Sequence, residues 1–340
     1  MNSRNFLLLL FIIGLFIANA AYASQDDLNE TIAIFPFENF SEDSKALEVV
    51  IPMLKSKLEA KGYTVLKEND MNAFLLKERI RTSGYVSKDT AMKIGDELNV
   101  KAILTGAVNS FVGKDNPHAG FTAYLVDASD GSLAWANHAA ATGEDFEKIL
   151  GLGRINTLNR LSDRVLDALL KSFKTSPPEK HSESLYRIAV MPFQNKSKTR
   201  DAGMMVTYMF IAELFRNKNF VPVEYGEVRR LIIDLRLREK GEIDLKNTEA
   251  VAGSAGVDGI IVGSVDVYRE GPGITDPSEV EISARLINAR KGKILWYNSS
   301  TVKGDDSVIM LDWGRILSAE NIAYKAIAKL VKEMGKVKWH

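Results

Sequence analysis

The chain has 340 residues, 46% of them hydrophobic, with 44 basic and 44 acidic side chains. Balanced charge excludes a global field that would steer it to a polyanion, so no nucleic-acid partner is expected. The absence of cysteine excludes a lipidated N-terminal cysteine, disulfides and thiolate zinc sites; burial must hold a fold whose length points to two domains of about 150 residues.

The first 23 residues set one positive charge, Arg4, before the apolar run FLLLLFIIGLFI and the small residues ANAAYA. This order predicts a signal peptide over residues 1–23, cut after Ala23, with Ala20 a nearly equal alternative. An uncleaved anchor is the other reading. A spanning helix needs about 20 strongly apolar residues, and the small end of this run favours cleavage. A periplasmic protein without a spanning segment, peripheral at most to the outer membrane, is the expectation.

IAIFPF (32–37) reads as a buried strand stopped by proline, and the following N-x-S as turn and N-cap groups. Residues 42–62 then predict a helix, YTVLK a strand, and residues 69–80 and 88–99 two further helices. AILTGAVNSF (102–111) is a third strand. Two more strands, joined at ASDGS, form a hairpin, and an amphipathic helix over 154–173 closes the segment. The polar, proline-containing TSPPEKHSES (175–184) is a semi-rigid linker.

The same order then returns. IAIFPFENFS at 32–41 and IAVMPFQNKS at 188–197 share six of ten residues, including Pro36/Pro192, Phe37/Phe193 and Asn39/Asn195. Gly106 matches Gly263 at an offset of 157, and FTAYLVDASDG matches ISARLINARKG at 161. Trp135 recurs as Trp296, Gly143 and Asp145 as Gly304 and Asp306, and Gly153-Arg154-Ile155 as Gly314-Arg315-Ile316. The four-residue shift falls in turn-rich loops, where length change is tolerated. The chain is therefore read as a tandem duplication. The fold class is α/β: two copies of a mixed-sheet domain in the order β-α-β-α-α-β-β-β-α, at residues 31–174 and 186–336 with a linker at 175–185. Each copy is expected to close around its own interior. Residues 24–176 carry a net charge of −4 and 177–340 a net of +3. Ordinary surface variation explains so small a difference.

Strand-P-F-x-N-x-S, helix, strand, helix, then DGIIVGSV (258–265) and a hairpin ending in Trp resembles the domain shared by the curli secretion protein CsgG, the peptidoglycan-synthase activator LpoB and the amino-terminal part of TolB. The resemblance covers both copies. It implies a non-catalytic envelope protein that assembles with, or regulates, other proteins, with self-association among the options. CsgG-type pores carry a lipidated cysteine and long membrane hairpins; here VGKDNP and YREGPGITDP are short, charged loops, unlike strands of about 9–11 residues that cross a membrane.

No catalytic, metal or cofactor residues are expected. The four histidines, His118, His138, His181 and His340, have no repeated acidic partner at ligand spacing. DASDG (127–131) becomes NARKG in the second copy and so reads as a turn. GSAGVDG (253–259) ends a helix and opens a strand, the reverse of a phosphate loop. The conserved-in-both-copies positions Pro36, Phe37, Asn39, Gly106, Trp135, Pro192, Phe193, Asn195, Gly263 and Trp296 are structural. MMVTYMFIAELF (204–215) is apolar nearly all round. Deep burial in the second copy explains that, and a methionine-rich docking face at Met204, Met205 and Met209 is the alternative. In RRLIIDLRLREK (229–240) the arginines read as a solvated helix face. Three functions remain open at this point: a protein-binding envelope scaffold, a small-molecule or cell-wall-fragment binder using the inter-domain cleft, and a component of an outer-membrane secretion assembly.

Overall fold

A computed structural model describes residues 31–113, 116–147, 152–175, 185–234, 250–251, 253–254, 256–271, 276–306 and 316–339. The predicted signal peptide, most of the linker, the second half of the 229–240 helix and most of residues 245–256, the second-copy counterpart of the helix predicted at 88–99, lie outside them.

The first copy runs β1 (Thr31–Ile34), β2 (Glu38–Asn39), α1 (Ala46–Ala60), β3 (Thr64–Val65), α2 (Glu68–Glu78), α3 (Lys88–Leu98), β4 (Ala102–Val112), β5 (His118–Asp127), β6 (Leu133–Thr142) and α4 (Leu158–Leu169). The second runs β7 (Tyr186–Val190), β8 (Gln194–Asn195), α5 (Ala202–Arg216), β9 (Phe220–Pro222), α6 (Tyr225–Asp234), β10 (Gly259–Arg269), β11 (Glu279–Asn288), β12 (Ile294–Lys303) and α7 (Ala319–Met334). Two six-stranded sheets result, ordered β3-β1-β4-β5-β6 and β9-β7-β10-β11-β12, with β2 on β4 and β8 on β10. Both are mixed: β1 lies parallel to β3 and β4, and β4-β5-β6 is antiparallel, as are their counterparts.

The likeness reaches the irregularities. The β4–β5 register slips between Val108 and Ser110, and β10–β11 between Val265 and Val267. The next pair slips after Leu125 in one copy and after Leu286 in the other. Gly106 and Gly263 sit where a Cβ would run into the carbonyl of Thr122 or Ser283 on the adjacent strand. Gly143 and Gly304 donate to the carbonyls of Pro117 and Ser278 and accept from the amides of Ile155 and Ile316, and a Cβ would overlap the same Ile155 or Ile316 carbonyl. Asp145 and Asp306 accept from the amides of Thr142 at 2.6 Å and Lys303 at 2.8 Å. The repeated letters are backbone requirements of one fold used twice.

One repeated motif works differently from the expectation. Neither α1 nor α5 has a side-chain N-cap. Asn39 instead accepts from the Ser41 amide at 3.0 Å and donates to the Asp43 carbonyl at 2.8 Å. Asn195 repeats this with Ser197 and Thr199, at 3.1 and 2.8 Å. The P-F-x-N-x-S motif thus forms a short strand and an Asx turn ahead of the helix. Asn39→Ala and Asn195→Ala are each expected to cost about 1 kcal/mol, equally in the two copies, in urea titrations.

The expectation of two separate interiors is corrected. Ile32, Leu104, Val108, Phe121 and Leu125 alternate onto one face of the first sheet, where Leu54, Leu58, Leu161 and Val165 of α1 and α4 close a core of its own. Ala33, Phe35, Ile103, Ala107, Tyr124 and Ala136 alternate onto the other face and belong to one apolar cluster with the whole second copy. No strand crosses between the sheets, so the duplication stands and only the independence of the two cores fails. The layers run α1/α4, first sheet, α5/α7, second sheet, stacked head to tail.

Candidate functional site

The feature that dominates the molecule is the seam between the copies. Helix α5 explains why it exists. Twelve of its fifteen residues are buried, against four of fifteen in its counterpart α1. One stripe of α5 faces its own sheet: the Phe193 amide donates to Thr207 Oγ1 at 2.9 Å, and the Phe193 and Phe210 rings meet at 5.2 Å. The opposite stripe lies on β4, β5 and β6 of the first sheet. There Tyr124 donates to the Tyr208 carbonyl at 2.6 Å, and Tyr208 packs against the rings of Phe40, Tyr124 and Tyr225 at 5.6–5.7 Å. Met205 and Met209 are buried in this layer and Met204 is partly buried, with its Sδ 3.7 Å from Tyr225 Oη. Of the three methionines of the suggested docking face, Met205 and Met209 thus lie inside the shared cluster and Met204 lines a cleft.

Buried polar groups lock both ends of the seam. At one end Glu320, near the start of α7, accepts from Asn109 Nδ2 at 2.8 Å and Ser110 Oγ at 2.6 Å, and His138 Nε2 stands 3.8 Å away. Asn109 Nδ2 also donates to Thr122 Oγ1 at 2.9 Å, and the same hydroxyl lies 3.0 Å from His138 Nδ1. Burial keeps the His138 ring neutral, with Nε2 facing Glu320. Its ring also packs on Tyr324, centroids 4.5 Å apart. Gly120 lets the helix in: a Cβ there would overlap the Glu320 carboxylate. Just outside, Glu270 Oε1 lies 3.4 Å from His118 Nδ1, and its other oxygen accepts from the Ala319 amide at 2.8 Å. Burial pushes Glu320 up to about 7 and His138 down to about 3, whereas the Glu270 side chain is 45% exposed.

At the other end Glu224, just before α6, accepts from the Val86 amide of the first copy at 3.3 Å and from the Gly226 amide of its own helix start. Glu227 accepts from the Lys88 amide at 2.8 Å, and Tyr85 meets Tyr225 edge-on at 5.5 Å. Burial raises Glu224 to about 8, opposed by these backbone donors. Between the ends lies a cleft of about 530 Å³ where the two signature motifs converge, with Glu38 and Phe40 from one copy and Pro192, Phe193 and Asn195 from the other. Tyr85, Tyr208 and Tyr225 also line it, with Arg81 and Arg229 beside Glu38 and Asp201.

The other signature residues serve their own copies. Phe37 and Trp135 lie in the first core, and Trp135 meets Phe173 at 5.0 Å and donates to Ser172. Trp296 packs at the edge of the shared cluster, Pro36 contributes a carbonyl that accepts from the Gly84 amide at 2.8 Å, and Pro192 and Asn195 line the cleft. Sequence reasoning missed the seam residues Gly120, Tyr124, His138, Tyr208, Glu224 and Glu320.

The stack stops at two. Where the first sheet offers Gly120, Tyr124, Ala136 and His138 to a helix layer, the matching positions of the second sheet are Glu281, Arg285, Tyr297 and Ser299. Arg285 and Ser299 are exposed, and Tyr297 is 62% exposed. A polar outer face of this kind ends a stack of repeats.

No family model matches the chain, and no curated protein matches it significantly. Among solved structures, the PelC dodecamer of Paraburkholderia phytofirmans is 19% identical with a TM-score of 0.30, the match covering 43% of this chain and 86% of that one. Lipoprotein GNA1162 of Neisseria meningitidis is 18% identical with a TM-score of 0.33, covering 44% and 97%. The C-terminal domain of LpoB from Escherichia coli is 14% identical with a TM-score of 0.26, covering 36% and 85%. LpoB is one of the proteins that the sequence pattern itself resembles. No helix of the described residues is long and apolar enough to cross a membrane.

Proposed function

We propose that the chain is a non-enzymatic, exported envelope protein that acts as a scaffold, assembly or regulatory factor by binding other proteins. The observation that supports this most is where the perturbed groups sit. Glu224, Glu270, Glu320 and His138 carry the largest carboxyl and imidazole shifts among the described residues, and all four join one half of the chain to the other. Groups perturbed in this way at an active site would converge on a substrate; here they build a platform. The export signal and the tandem αβ units read from the sequence agree with a role in the envelope. Crosslinking in intact cells followed by affinity purification is expected to recover envelope proteins with it. A strictly monomeric protein that captures none would overturn the proposal.

The cleft supports a second reading, binding of a small molecule or a cell-wall fragment. It has aromatic walls and a few polar groups drawn from two units, as ligand pockets commonly do. Under this reading a screen of nucleotides and cell-wall fragments raises the melting temperature by several degrees for one class. Arg81→Ala with Tyr85→Ala would remove that shift.

A further inference from the structure

We propose that the seam between the two halves is a proton-operated joint, tight while the buried Glu320 carboxyl is protonated and looser once it is ionised. The geometry carries it. The Glu320 carboxyl stands on the second half near the start of α7, 3% exposed, and among the described residues no lysine or arginine is paired with it across the seam. Glu320 meets Asn109, Ser110 and His138 of the first sheet, with Tyr268 and Tyr324 beside it on the second half. Glu270 meets His118, whose own surroundings are Glu144 and Asp145. Arg154 is engaged by Glu144 at 2.9 Å, and Arg216 lies against the Tyr324 hydroxyl at 3.2 Å. His138 is the nearest base to Glu320. Burial opposes a second proton on its ring. Asn109 Oδ1 is buried without a partner, so the side chain that donates to Glu320 also holds an acceptor for a carboxylic acid proton.

The sign follows from linkage. Glu320 is raised from 4.5 to about 7 in the closed chain. Its contribution to closure is complete below pH 4.5 and is lost as pH rises through 7. His138, lowered from 6.5 to about 3, works in reverse: its contribution is complete above pH 6.5 and is lost as pH falls through 3. His118 is lowered also, by burial. The Glu320 carboxyl and the imidazoles offset one another between 4.5 and 6.5, and the loosening falls on the alkaline side.

The chain has no cysteine, so an introduced thiol reports on opening. Ala212 is fully buried one turn from Tyr208 on the same face of α5, and Ala123 is fully buried in the separate core of the first half. Labelling of Ala212→Cys in the full chain, divided by the rate of a free thiol at the same pH, is expected to rise at least tenfold from pH 6 to pH 8.5, while Ala123→Cys stays flat. Glu320→Gln with Glu270→Gln, which keeps both groups neutral, is expected to abolish the rise. Equal behaviour of the two thiols, or a rise that survives the double substitution, overturns the proposal. A double variant that does not fold leaves the urea midpoint of a Glu224→Gln chain, with the other seam acid silenced, as arbiter: a fall from pH 6 to 8.5 upholds the joint, and a flat or rising midpoint sinks it.

Discussion

Gly120→Glu is expected to part the two halves of the molecule. The substitution gives the first sheet the residue that the second sheet carries at the matching position, Glu281. Its Cβ would overlap the Glu320 carboxylate, and its charge would enter a dry site beside a second acid. An uncompensated buried charge costs about 3–5 kcal/mol, enough to remove the docking of α7 on the first sheet. The first half keeps the core that α1 and α4 close with Leu54, Leu58, Leu161 and Val165. Thermal unfolding of the variant should therefore split into two steps where the native chain is expected to show one. Gly120→Ala separates shape from charge, with an expected loss of about 1–3 kcal/mol and a single transition. A Gly120→Glu protein that melts as the native one does would show that the seam contributes nothing to stability.

Tyr208→Ala is the second large effect, and it acts at the centre of the seam. Tyr208 is 1% exposed and touches Phe40 and Tyr124 of the first half and Tyr225 of the second. Removing a buried aromatic ring costs about 3–5 kcal/mol, and the void would open beside the cleft. Tyr124→Phe keeps the ring and deletes only the hydrogen bond to the Tyr208 carbonyl, so its cost is about 1 kcal/mol. Urea denaturation of the two variants tests the ordering. Equal losses would mean that the hydrogen bond, and not packing, holds the centre of the seam.

The repeat was legible in the sequence because it rests on backbone demands that both copies share. Gly143 and Gly304 must admit a carbonyl, Asp145 and Asp306 must satisfy an amide, and Asn39 and Asn195 must close the same turn; the letters stay when the geometry stays. The seam was illegible for the converse reason. It uses one face of each unit once, so its residues differ between the copies: Gly120 against Glu281, Tyr124 against Arg285, Glu320 against Asn159. The two-residue strands β2 and β8 are too short to show a period. The apolar excess of α5 was plain in its letters. Which surface covers that helix is decided by strands β4 to β6, 60 to 114 residues earlier in the chain (202 − 142 and 216 − 102), and local pattern carries no trace of it.

Head-to-tail stacking inside one polypeptide also changes what the contact must achieve. Two surfaces joined by a short polar tether face each other at an effective concentration on the order of 1 mM, so an affinity too weak to hold separate subunits together keeps this pair shut. Contacts that separate subunits could not tolerate, such as acids enclosed without cationic partners, are then compatible with a closed resting state. Connectivity supplies the persistence, and the chemistry at the contact is left free to respond to its surroundings.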